Sequence, residues 1–98
     1  MEQHKSDHRA LALLRLLDRQ PGNVSNECII NLLFEKIGLT CSRQEVQDCL
    51  ERIEKLGLIR TLKVDDLVVV NLLAKGEEVA KGRVMIEGVL RPGVDCPY

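Results

Sequence analysis

The sequence predicts a small α+β domain that is mostly α. Three observations predict it: leucine-rich segments with helical spacing, a capping box at residues 42–45, and an alternating, β-branched hairpin over residues 58–73. With 98 residues, the chain can bury one hydrophobic core but not two. The expected division is one domain over residues 1–82 and a C-terminal arm over residues 83–98, part of the same unit or a contact in a dimer.

The first helix is expected over residues 6–20. Ser6 or Asp7 can cap it, and Pro21-Gly22 stops it. Ala10, Leu11, Leu13, Leu14, Leu16 and Leu17 cover more than half of its circumference, a wider stripe than a surface helix needs. Such a helix is either central to the core or shared with another chain. Residues 23–26 read as a turn with two good N-caps. A second helix follows over residues 27–37, with Ile29, Leu32, Leu33 and Ile37 as its apolar stripe and Gly38 as its stop.

Ser42-Arg43-Gln44-Glu45 opens the third helix. The Ser hydroxyl can accept from the Glu45 amide while the Glu carboxylate reaches back to the Ser amide. Val46, Cys49, Leu50, Ile53 and Leu56 form its inner face, and Gly57 suits a left-handed C-cap. The second and third helices are therefore joined by a tight turn, a helix-turn-helix by spacing. Residues 58–64 and 67–73 pair as a hairpin around Asp65-Asp66. Without glycine at this turn, a loop longer than two residues is expected. Residues 74–81 form a short helix that Gly76 weakens by up to ~1 kcal/mol relative to Ala.

Composition limits function. Fourteen basic residues nearly balance fifteen acidic ones, for a net charge of −1. Phe34 and Tyr98 are the only aromatics, too few for base-stacking on single strands or RNA. No apolar run approaches the roughly 20 residues of a spanning helix, and the polar start lacks the apolar core of an export signal. A cytoplasmic protein with reduced thiols is expected. Cys28, Cys41, Cys49 and Cys96 include no CxxC pair. Cys28 and Cys49 are expected to be small core residues. His4 and His8 read as solvated residues in a first helical turn rather than metal ligands. The chain has no phosphate loop, zinc-protease motif or nucleophile elbow, so neither catalysis, a cofactor, a metal nor a small-molecule substrate is expected.

The order helix, helix, capped helix, hairpin, short helix resembles the winged helix-turn-helix superfamily. The segment from Val46 through Gly57-Leu58-Ile59 is similar to the end of a recognition helix there, and residues 72–80 resemble the stretch after the wing in ArsR-like and MarR-like regulators. A narrower resemblance is to the small ArsR-like proteins of Mu-like phages and prophages. It rests on the His-Lys…Asp…Arg start leading to Gln20-Pro21-Gly22, on Leu56-Gly57-Leu58-Ile59, and on Val79-Ala80-Lys81-Gly82-Arg83…Gly88-Val89…Arg91-Pro92. It implies a winged helix of three helices, a two-stranded wing, a short C-terminal helix and an arm, in a phage context. Metal-sensing relatives carry a Cys-x-Cys pair in the third helix. Cys49 stands alone there, so that role is not implied.

If the third helix reads double-stranded DNA, its candidates are Arg43, Gln44, Gln47 and Arg52, with Arg60 and Lys63 on the wing. Guanine would take Arg43, and adenine would take a glutamine. Charge argues the other way. Residues 43–57 hold Arg43, Arg52 and Lys55 against Glu45, Asp48, Glu51 and Glu54, a balance of −1, and the wing sums to zero. Two functions stay open: a DNA-binding transcriptional regulator, or an adaptor for phage proteins in assembly or packaging. The apolar surplus predicts a homodimer through Leu11, Leu14, Val84, Ile86, Val89 and Leu90.

Overall fold

A computed structural model describes residues 2–84 and 86. In chain order it has α1 (Glu2–Arg19), a 3-10 turn (Pro21–Asn23), β1 (Val24–Asn26), α2 (Glu27–Lys36), α3 (Arg43–Lys55), β2 (Ile59–Val64), β3 (Leu67–Leu72) and α4 (Ala74–Ala80). The described residues thus form an α+β unit with four α-helices and one antiparallel sheet in the order β1-β3-β2. No described helix is long and apolar enough to cross a membrane.

The wide apolar girth of α1 resolves in favour of a central helix. It packs on α2, α3, α4 and β3. Ala10, Leu11, Ala12, Leu13, Leu14 and Leu17 are all fully buried, and each such leucine contributes about 1.5–3 kcal/mol of burial. Leu11 and Leu14, expected at a dimer contact, are therefore consumed by the chain's own core and present no surface to a second copy. Val84 is exposed and Ile86 packs against the core. Val89 and Leu90, Cys96 and most of the 83–98 arm lie outside the described residues, as does the side chain of His4.

Asn26 caps α2 by accepting the Ile29 amide at 3.0 Å. The fully buried apolar residues of α2 are Ile30 and Phe34. Of the expected stripe, Leu33 and Ile37 pack against the core, while Ile29 and Leu32 stand 42% and 63% exposed, which corrects that half of the expectation. Residues 28–34 hold apolar side chains on nearly every face, and contact with α1 and β3, not periodicity, selects the inner one. The same rotation leaves Cys28 exposed, contrary to expectation, while Cys49 is buried as expected.

The capping box of α3 is present in both directions. Ser42 Oγ accepts from the Glu45 amide at 3.1 Å, and Glu45 Oε1 accepts from the Ser42 amide at 3.0 Å. Val46, Cys49, Leu50 and Ile53 face the core. At its far end Gly57 takes φ +79°. Leu58 N–H then reaches Ile53 O at 3.3 Å and Gly57 N–H reaches Glu54 O at 2.9 Å, the paired bonds of a Schellman stop that a side chain at Gly57 would strain. Arg9 of α1 fastens the turn between α2 and α3, donating from Nε to Leu39 O at 3.0 Å and from Nη2 to Thr40 O at 3.3 Å.

Two features of the sheet depart from expectation. The segment read as a turn is β1, whose three residues pair with β3 through Val24↔Asn71, Ser25↔Val70 and Asn26↔Val69. The hairpin loop is only two residues long, because Val64 pairs directly with Leu67. Asp65 takes φ +56° with Asp66 on the negative side, the φ signs of a type II′ turn. Asp tolerates this conformation better than most residues. Ile59, Val70 and Leu72 face the helices, leaving Arg60, Leu62 and Val64 on the outer side.

Gly76 has a structural role that helix propensity hides. A Cβ there would overlap Leu58 O and come within 2.7 Å of Leu72 Cδ1. Glycine lets α4 lie directly against the start of the hairpin. Lys81 Nζ then ties α4 to α1, donating to Asp18 Oδ1 at 2.7 Å and Glu77 Oε1 at 2.8 Å. These two hydrogen bonds raise the Lys81 pKa.

Candidate nucleic-acid interface

The exposed side of α3 and the hairpin beside it form the candidate surface. Glu54, near the end of α3, joins the two. Its carboxylate accepts the Thr61 amide at 2.8 Å and the Thr61 hydroxyl at 2.9 Å. Charge-assisted bonds of this kind are roughly twice as strong as neutral ones, so Glu54 fixes where the hairpin stands relative to α3. One of the helix's four carboxylates is thereby spent on structure. Glu45 is another, committed to the capping box.

The cations of α3 are also engaged within the chain. Arg43 Nη2 donates to Glu27 Oε1 at 3.1 Å; Arg43 is 70% exposed, whereas the Glu27 side chain is 9% exposed. Lys55 pairs with Glu51 at 3.4 Å one turn earlier. Gln44 Nε2 donates to Asp48 Oδ1 at 2.9 Å. Arg52 is half-buried and hydrogen-bonds toward Cys49. Burial pushes the Cys49 thiol up to about 11, and Arg52 only partly offsets this. Burial likewise raises the Cys41 thiol, against the pull of Arg9.

Gln47 is half-buried and lines a shallow cavity of about 220 Å³ between α3 and the hairpin, with Glu51, Glu54, Thr61 and Val68. Arg60 and Lys63 are exposed and make no ion pair among the described residues. Three residues apart on β2, they point to opposite faces of the sheet. Lys63 shares the α3 side with Thr61, and Arg60 sits on the outer side opposite Asn71.

The six candidates therefore do not merge into one patch. Arg43 and Gln44 lie at the start of α3, Gln47 in the angle with the hairpin, Arg52 turned toward the core, and Arg60 and Lys63 on two faces of the hairpin. Asp65 and Asp66 are exposed at its tip. Among the described residues no three metal-ligating side chains gather. Glu27, which holds Arg43, escaped the sequence reading. It lies 16 positions earlier, and only the packing of α2 against α3 brings the pair together.

No family model matches the chain, and no solved structure matches it. Among curated proteins, the Uncharacterized protein gp26 of Escherichia phage Mu is 30% identical to it over 86 residues, which is 88% of each chain.

Proposed function

The chain belongs to the family of the phage Mu protein gp26, and we propose that it is a phage or prophage winged-helix protein that binds duplex DNA, an ArsR-like regulator acting as a homodimer. The observation that carries this reading is the order α1-β1-α2-α3-β2-β3 with β1 closing on β3. That order places a capped helix after a tight turn and sets a two-residue hairpin against its end. In winged-helix recognition the third helix enters the major groove and the hairpin follows the adjacent backbone. Gln44 and Gln47 on α3 suit adenine, and Arg60 and Lys63 on the hairpin suit phosphate.

The electrostatics set the strength of such binding. Among the described residues Arg60 and Lys63 make no ion pair, and Asp65-Asp66 opposes them. One copy would grip weakly, and two copies would double the footprint. The proposed dimer contact rests on exposed Val84 and, from the sequence alone, on Val89 and Leu90. Gel retention of the phage's own promoter fragments at low salt tests the reading. Binding that weakens in Arg60→Ala/Lys63→Ala, with thermal melting unchanged, supports it; no retention at low salt overturns it.

A second reading, an adaptor for phage proteins, is favoured by one specific observation. Both Arg43 and Lys55 of α3 are neutralised by carboxylates of the same chain, and Leu62 and Val64 stand exposed on the outer face of the hairpin. Co-purification with neighbouring phage gene products, without operator DNA, would favour the adaptor.

A further inference from the structure

Arg43 is the first residue of α3, the end of a recognition helix that approaches base edges, and another helix governs its charge. Glu27 opens α2. Its side chain is 9% exposed, that of Arg43 70%. Arg43 Nη2 donates to Glu27 Oε1 at 3.1 Å. Among the described residues, Arg43 is the only cation paired with Glu27. Glu27 Oε2, Ser25 Oγ and Asn31 Oδ1 are all buried and have no partner among the described residues. Ser25, two positions before Glu27, contributes a hydroxyl that can donate as well as accept. None of these atoms opens to solvent, so they belong to the interior of the fold. Only Oε1 meets the surface, through Arg43.

We infer that Glu27 is a positioning residue: it holds the Arg43 guanidinium against α2, keeps its charge from the DNA backbone and, given the duplex binding proposed above, thereby sets how tightly α3 binds. A phosphate that drew Arg43 away would leave a buried carboxylate uncompensated, which is strongly unfavourable. The first turn of α2, where the helix dipole favours an anion, holds that carboxylate in place. While they are paired, Glu27 and Arg43 sum to zero, and a neutral pair releases no counterion from DNA. The balance of −1 within α3 therefore understates the effect, because the carboxylate that neutralises Arg43 comes from another helix. Asp66 lines the same cavity as Glu27 and Arg43, but it is exposed, and a solvent-screened carboxylate is a weak substitute.

A cycle of four full-length proteins tests this: wild type, Arg43→Ala, Glu27→Gln and the double variant, bound across salt to a labelled duplex from the promoter region of the chain's own gene. Arg43→Ala should leave the slope of log K against log salt unchanged in the wild-type background. Glu27→Gln should steepen it by about 1 for each bound copy, one added phosphate contact, and Arg43→Ala should then remove the gain. Arg43→Ala alters net charge equally in both backgrounds, so the difference between its two effects isolates the pair. Glu35→Gln, exposed on the same helix, should not reproduce the gain. An equal effect of Arg43→Ala in both backgrounds would overturn the inference. Thermal melting checks each fold; if Glu27→Gln melts early, Glu27→Asp, which draws the carboxylate back by one methylene, replaces it and should give a smaller gain of the same sign. Arg43 side-chain NMR with inorganic phosphate needs no duplex. The Nε resonance should move at least about 3-fold more in Glu27→Gln than in wild type, because a released guanidinium is open to charge-assisted bonding. That result with no duplex binding by any variant would refute duplex recognition and support the hold of Glu27 on Arg43; an equal response in both proteins would overturn that hold.

Discussion

Replacing Gly76 with Ala sets two physical effects of opposite sign against each other. In an isolated helix, Ala is favoured over Gly by about 1 kcal/mol, so propensity alone makes Gly76→Ala stabilising. In the folded chain the new methyl meets Leu58 O and Leu72 Cδ1. Leu58 O is backbone and already accepts the Leu73 amide at 3.0 Å, so it cannot withdraw without breaking the join between β3 and the hairpin's start. Overpacking of this kind costs typically 1–3 kcal/mol, and more where the neighbour is rigid. The upper end applies here, which leaves a net destabilisation of about 2 kcal/mol after the propensity gain. For a domain of this size that lowers Tm by roughly 8–16 °C. Circular-dichroism melting and urea titration would measure it, with Lys75→Ala on the exposed side of α4 as the control, expected within about 0.5 kcal/mol of wild type. An unchanged or higher Tm for Gly76→Ala would refute the close packing of α4 on the hairpin.

Two other outcomes follow from the same contacts. Glu54→Ala removes the acceptor of both Thr61 donors, and urea unfolding should show a loss of about 1.5 kcal/mol, the low end for a charged acceptor that is partly solvated; no loss would mean that the hairpin does not depend on α3 for its position. The Cys49 thiol, raised from 9.0 to about 11 by burial, holds its proton more firmly in the folded than in the unfolded chain. Its contribution is therefore intact below pH 9 and is lost as pH rises toward 11, a decline that unfolding measurements should show in wild type and find reduced in Cys49→Ala.

The parts of this fold legible in the sequence are those fixed by neighbours along the chain. The capping box at Ser42 and Glu45, the stop at Gly57 and the inner face of α3 depend on residues within one or two turns, and the structure shows each of them. The parts that were not legible depend on distant partners. Val24-Ser25-Asn26 has no strand signal of its own and becomes β1 only by pairing with Asn71, Val70 and Val69. In α2, apolar residues at 29, 30, 32, 33 and 34 permit several stripes, and α1 chooses Ile30 and Phe34. The charge balance of α3 was visible, but the pairing of Arg43 with Glu27 was not, and it changes Arg43 from a free candidate into an engaged one. Arg60 and Lys63 keep their place at the candidate interface because no ion pair among the described residues engages them.

Those two cations make the central claim measurable. Each phosphate contact contributes about −0.9 to the slope of log K against log salt. A single copy using Arg60 and Lys63 should thus give a slope of about −2, and a dimer about −4. Fluorescence anisotropy of the protein on a labelled duplex from the promoter region of its own gene, titrated across salt, measures that slope directly. Binding with a slope of about −4 that falls toward zero in Arg60→Ala/Lys63→Ala is the expected result. Absence of binding at the lowest salt, or a slope unchanged by the double substitution, would contradict duplex recognition by α3 and the hairpin.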